Sequence, residues 1–214
     1  MIGILHKVRR RVNIRNLRRQ IKRQARLLAR QRLPVKLEIG AAVHSVDSAG
    51  WIATNLPELN ALDERQWRSM FRPSSVDRVL AEHVVEHWTP REFGIFLRIV
   101  KTFLAPQGFL RLAVPDGCHP DPAYIEYVKP GGSGAGAEDH KILYTYQTLT
   151  AALADAGFVA RGLEFFDEGS SFNQIPWSVE DGLVRRSAEH DTRNVDGKLA
   201  YTSLIVDAMP AAGA

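Results

Sequence analysis

Apolar residues along the chain first recur at helical spacing and then, from Val35 on, gather into short runs separated by polar turns. Between Ile4 and Leu33 there is no proline, and Ile14, Leu17, Ile21 and Leu28 are spaced by steps of three, four and seven residues. One long helix with a narrow apolar stripe is predicted there. Pro34 ends it, because proline cannot extend the hydrogen-bond ladder and disfavours α geometry at Leu33. Residues 35–39 and 51–54 then read as short strands, a weaker third strand ends at Leu62-Asp63, and residues 75–81 read as a strand running into a helix. Residues 90–103 place Phe93, Phe96, Leu97 and Val100 on one helical face, Pro106-Gln107-Gly108 reads as a turn, and residues 109–114 as a buried strand. A loop rich in glycine and proline spans 117–137. Residues 146–156 form a helix stopped by Gly157, a natural C-cap. Residues 158–166 and 199–207 are the last two strands, and 209–214 are expected to fray.

Strands that alternate with helices predict a Rossmann-like α/β domain with a mostly parallel sheet. The two final strands, with no clear helix between them, predict an antiparallel edge. The expected organisation is a basic helix (1–33), an α/β body (34–208) and a tail (209–214).

Charge divides the chain at the same place. Residues 1–33 hold 12 of the 28 basic residues and no acid, leaving 16 bases against 24 acids, a net −8, in the body. The sequence pI of 9.4 therefore describes the appendage. Such a helix suits an anionic membrane surface, the phosphates of nucleic acid, or a second copy of the chain, since its stripe approaches a heptad pattern. It also suits docking on the chain's own acidic body. The Arg-rich start is similar to a mitochondrial transit peptide, but it lacks serine and its stripe continues to the domain edge. No run of about 18 apolar residues is present to span a bilayer. A single cysteine, Cys118, excludes an internal disulfide framework and a Cys-rich zinc site. A cytoplasmic protein, peripheral at the membrane if the helix binds there, is the expectation.

Six blocks then occur in order: GW at 50–51, SVDRVLAEHVVEHWTP at 75–90, LAPQGFLRLAVPDGCHPDP at 104–122, AEDHKILYTY at 137–146, RSAEHDTRN at 186–194 and YTSLIVDA at 201–208. Together they resemble the bacterial S-adenosylmethionine-dependent methyltransferases, across residues 35–208. The resemblance implies a Rossmann-like methyltransferase fold with S-adenosylmethionine as cofactor. It implies methyl transfer to an oxygen or nitrogen of a small molecule or glycan, by in-line positioning and proton removal. A fold can outlive its activity, so a binding or scaffold protein with a degenerate cofactor site is the competing expectation.

The resemblance also implies roles for particular residues. Glu38, Gly40 and Ala42 lie in the turn that approaches the methionine moiety, with alanine at 42 where a second glycine is usual. Asn55 stands where a carboxylate ordinarily accepts from the ribose hydroxyls, and it carries no charge. Asp63 matches the acid near the adenine amino group, or else is a helix N-cap. Glu82 closes the strand beside the cofactor. His83 and His87, with Glu86 beside them, share a face if that stretch is helical, and an imidazole suits proton removal near neutrality. Asp116 opens the substrate loop, and His140 lies in a polar cluster with Glu138, Asp139, Lys141 and Tyr144. The glycines of 131–136 lack the Lys-Ser/Thr ending of a P-loop and suggest a mobile lid. The order His-Val-Val-Glu-His differs from the HExxH zinc motif, so no metal is expected.

Overall fold

The computed structural model describes residues 2–41 and 50–211, with side chains from residue 13 onward. Its elements are α1 (Ile2–Arg30), β1 (Lys36–Ile39), β2 (Trp51–Thr54), α2 (Glu64–Met70), β3 (Val76–Glu82), α3 (Pro90–Phe103), β4 (Leu104–Pro115), α4 (Pro122–Val128), α5 (Tyr146–Asp155), β5 (Phe158–Phe166), β6 (Phe172–Gln174) and β7 (Ser203–Pro210). The strands form one seven-stranded sheet in the order β2-β1-β3-β4-β7-β5-β6. β1 to β4 run parallel, β7 is antiparallel to both β4 and β5, and β6 is antiparallel to β5. This is the mostly parallel sheet with an antiparallel edge that the alternating pattern predicts.

Side chains alternate across the strands, so the sheet has two different faces. Leu37, Ile39, Val79, Ala81, Leu110, Leu112, Leu204 and Val206 point to a large core shared with α1, α2, α3 and α5. The helices on that side start from local chemistry. Thr89 and Glu92 form a capping box ahead of α3, with Pro90 at its first turn, and Thr145 caps α5. Trp67 of α2 is fully buried against Phe71 and Phe103. On the opposite face Leu80, Ala113, Leu163 and Ile205 meet Val184, Ile175 and Trp177. That cover is the long β6–β7 connection, an irregular strap with one short 3₁₀ turn at Val179–Asp181. Among the described residues no helix packs there.

Several expectations need correction. Residues 62–63 end no strand; the chain turns there and Asp63 starts α2. The turn at 106–108 lies within the span of β4, where Leu104 pairs with Val76 and Phe109 with Arg78, so the intervening residues bulge out. The loop 117–137 contains α4, capped by Asp121. The last strand begins at Ser203, and Met209 and Pro210 are not frayed but pair with Val159 and Phe158. The second half of α1 docks on the body: Ile21 and Ala25 are buried. Arg18 donates to the carbonyls of Pro57 and Glu58 and to Gln66 Oε1. Among the described residues no helix is long and apolar enough to cross a membrane.

Candidate functional site

Parallel pairing brings the carboxyl ends of β1 to β4 to one edge of the sheet. Ligands of open α/β sheets bind at that edge. At its β1–β2 end the structure is closely tied. Ala41 N–H donates to Thr54 O at 2.9 Å, and Asn55 Nδ2 donates to Ala41 O at 3.1 Å while Oδ1 accepts from Leu56 N–H at 2.8 Å. Gly40 has φ +70°, and a Cβ placed on it would lie 2.5 Å from Val84 Cγ2. Glycine is thus required there by backbone and packing alone. Ala42 lies outside the described residues. Asp63 is the N-cap of α2, accepting from Arg65 N–H and from Gln66 Nε2 at 3.0 and 2.8 Å.

The strap supplies cations to the strand tips. Arg185 Nη1 lies 3.3 Å from Glu38 Oε1 and 3.4 Å from Glu82 Oε2. Arg186 N–H donates to Glu82 Oε1 at 2.9 Å. Burial pushes the Glu38 carboxyl above its ordinary value, against the pull of Arg185.

Beyond β3 the expected helix is replaced by a kink and one 3₁₀ turn. His83 adopts φ +52°, and only Val85–His87 is helical. The two histidines therefore do not share a helical face. His83 turns toward β7, with Nε2 2.9 Å from Ser203 Oγ and Nδ1 3.1 Å from Glu86 Oε1. His87 turns toward His140, their ring centroids 4.7 Å apart and edge to face. Glu86 stands between them, fully buried. The His83 approach is out of line for a hydrogen bond, and among the described residues neither carboxylate oxygen of Glu86 has a hydrogen-bond partner. Burial opposes its charge, but His83, the residue's own backbone and His87 together hold the carboxyl below its ordinary value. The buried Tyr144 hydroxyl is also unpartnered among the described residues, and burial, with Glu86 adding, pushes it up to about 12.

His83, Glu86, His87 and His140 line a cavity of about 230 Å³. Its far wall is formed by Tyr127, Tyr201 and Arg193, whose guanidinium lies 3.4 Å from the Tyr201 ring centre and pairs with Asp191. Another wall is the glycine-rich run. It is not a free flap: Gly131 donates to Ala137 O, Ser133 to Glu126 O and Gly134 to Tyr127 O. A Cβ on Gly134 would meet Tyr127 O at 2.5 Å.

Of the residues singled out from sequence, the structure brings His83, His87 and His140 together around Glu86. Asp116 is elsewhere, fully buried, accepting from Cys118 N–H at 2.9 Å and from Phe166 N–H at 2.7 Å. Burial pushes its carboxyl up to about 6. Sequence reasoning passed over Glu86 as a site residue, although its place between two histidines was the available signal. It also gave no role to Arg185, Arg193 and Tyr201, which lie 98 or more residues along the chain from His83 and His87 and carry no spacing that links them.

No family model matches the sequence, and no curated protein does. Among solved structures, the chain is similar to an S-adenosylmethionine-dependent methyltransferase from Archaeoglobus fulgidus, at 16% identity over 89% of this chain and 92% of that one, with a TM-score of 0.50. It is also similar to a Thermotoga maritima methyltransferase described as a possible histamine N-methyltransferase, at 13% identity over 97% and 98%, with a TM-score of 0.47. At these identities the likeness is one of architecture, and the architecture is the Rossmann-like methyltransferase fold.

Proposed function

We propose that this chain is an S-adenosylmethionine-dependent methyltransferase acting on an oxygen or nitrogen of a small molecule or glycan. The observation that carries the reading is the buried Glu86 with His83, His87 and His140 around a cavity just past the tip of β3, at the ligand-binding edge of this fold. Bound there, the cofactor supplies an electrophilic methyl group on a sulfonium. Asn55 is exposed and its Oδ1 accepts only one bond, which leaves a lone pair for a ribose hydroxyl. Asp63 retains acceptor capacity at the head of α2. Glu38 and Glu82, engaged by Arg185, position the strand tips rather than touch a ligand. His140 Nδ1 lies 2.7 Å from Val128 O, and a carbonyl can only accept, so Nδ1 carries the proton and Nε2 a lone pair. That lone pair and the Glu86 carboxylate are the positions able to take a proton from an acceptor.

One observation favours a second reading, a binding protein that has kept the fold without the cofactor. Glu38, Asn55, Asp63 and Glu82 all have protein partners already. Calorimetric titration with S-adenosylmethionine and its demethylated product decides between the two. The enzyme reading expects one site with a Kd between about 1 μM and 1 mM. No heat at millimolar ligand, in a chain whose Asn55→Asp variant then binds, selects the second.

A further inference from the structure

We propose that Glu86, His87 and His140 bind a divalent transition-metal ion. Each offers one ligand atom, and those atoms lie within 4.8 Å of one another. They come from two segments that meet across the cavity: the 3₁₀ turn after β3, and the residues just after the short 3₁₀ turn Ala137–Asp139. Backbone bonds fix that meeting, since the Glu86 carbonyl accepts from Lys141 N–H at 2.7 Å.

Three features single this cluster out. First, Glu86 is fully buried, neither carboxylate oxygen has a hydrogen-bond partner among the described residues, and the imidazole Nδ1 of His83, 3.1 Å from Oε1, is a partial counter-charge at most. A buried carboxylate left so is costly, and a cation is the group that relieves it. Second, the His140 bond to Val128 O directs its Nε2 lone pair away from the backbone. That is the outer-shell arrangement by which metal-binding histidines are oriented. His87 has no such bond: its Nδ1 lies 3.7 Å from Asp139 Oδ2, an electrostatic neighbour only. Third, the donor set is two imidazoles and one carboxylate, which suits Zn²⁺ with an open position and, equally, Fe²⁺ or Mn²⁺. In a tetrahedral zinc site neighbouring ligand atoms are roughly 3.4 Å apart, so ligand atoms now within 4.8 Å of one another have to draw together on binding.

The open positions of the ion face the cavity, where an acceptor hydroxyl reaches it. Coordination would lower the pKa of that hydroxyl, which gives its proton to solvent water as its oxygen bonds the methyl group and the carbon–sulfur bond of the sulfonium breaks to leave a neutral thioether. This last step rests on the methyl-transfer reading, with the histidines acting as ligands rather than bases; binding of the ion does not.

The test uses the full chain without a histidine tag, stripped with chelator and dialysed. Equilibrium dialysis against Zn²⁺ with elemental analysis is expected to give one ion per chain. Co²⁺ is expected to give visible d–d absorption that Zn²⁺ displaces. His140→Ala and the near-isosteric Glu86→Gln should each weaken affinity about 100-fold or more, with far-ultraviolet circular dichroism unchanged. His190→Ala, outside the cluster, should leave it intact. If Glu86→Gln does not fold, His140→Ala and His87→Ala decide alone. Zinc binding well below one equivalent, or binding indifferent to His87 and His140, overturns the proposal. Neither result depends on whether the protein binds S-adenosylmethionine, so the two readings fail separately.

Discussion

Replacing Arg111 by methionine should release the strap from the sheet. Arg111 sits midway along β4, 1% exposed, on the face without helices. Its Nε and Nη2 donate to the two oxygens of Asp207 on neighbouring β7 at 2.7 and 2.9 Å. Its Nη1 donates to Ser178 O and Gly182 O of the strap at 2.9 and 2.8 Å. Trp177 of the strap covers the guanidinium, its ring centre 5.0 Å away. Methionine keeps the apolar stem and removes every donor. Breaking one side of a buried ion pair costs about 3–5 kcal/mol, and the two strap carbonyls, which water reaches once the strap lifts, add about 1 kcal/mol. The expected loss is therefore about 5 kcal/mol in urea unfolding. Asp207→Asn keeps one of the two acceptor oxygens and should cost about half as much. The double variant should cost clearly less than the sum of the two, because the uncompensated charge is then absent. Limited proteolysis should cut within 175–184 sooner in Arg111→Met than in the wild type. A loss below about 1 kcal/mol, with unchanged proteolysis, would show that apolar packing on Trp177 and Val184 holds the strap without the ion pair.

Three further outcomes follow from single contacts. Gly40→Ala forces an L residue into φ +70° and onto Val84, and should cost about 2–4 kcal/mol; in a Val84→Ala background only the backbone part, about 1–2 kcal/mol, should remain, and equal costs in both backgrounds would refute the packing explanation. Asp116, raised from 3.8 to about 6 by burial, binds its proton more tightly folded than unfolded; its stabilising contribution is present below about pH 4 and is lost as pH rises through 6, by up to about 3 kcal/mol, so unfolding at pH 4.5 and 7 should show a steeper fall for wild type than for Asp116→Ala. Ile21→Ala removes a buried anchor of α1 and should cost about 2–3 kcal/mol, with faster tryptic cleavage between Arg19 and Arg32; cleavage at the wild-type rate would mean that the Arg18 bonds alone dock the helix.

The parallel part of the sheet was legible because Leu37, Val79, Leu110 and Leu112 alternate with residues facing the other side, and capping residues such as Thr89 mark the helix starts. The stretch after Glu82 misled because histidines four apart suit a helix. Nothing local shows that His83 takes a positive φ, a conformation tied to Ser203 on β7, far along the chain. The glycine-rich run looked mobile for a related reason. Glycine signals conformational freedom in a sequence, whereas Gly134 is there because Tyr127 O leaves no room for a Cβ. The cluster was half legible. His83, Glu86 and His87 are adjacent in the chain, but His140 joins them through the fold, and the orphaned state of Glu86 is a property of its surroundings rather than of its neighbours in sequence.

The strap explains why the strand tips depart from the pattern expected of this fold. A sheet covered by helices on both faces keeps its tip carboxylates free for ligand, because helix dipoles and caps satisfy the backbone around them. Here one face is covered by an irregular segment that must be held by side chains, and it is held by arginines: Arg111 on the carbonyls of Ser178 and Gly182, Arg78 on Asp181, Arg185 on Glu38 and Glu82. Carboxylates used in this way are not available to a ribose or an ammonium group. The unsatisfied charge in the edge of the sheet has moved one element along, to Glu86, the one carboxylate buried there whose oxygens have no hydrogen-bond partner among the described residues. If that displacement is real, Arg185→Ala should disturb the β1 and β3 tips yet leave metal affinity at the Glu86 cluster within about threefold, since Arg185 touches none of its members. Loss of both together would mean that the strap and the cluster form a single site.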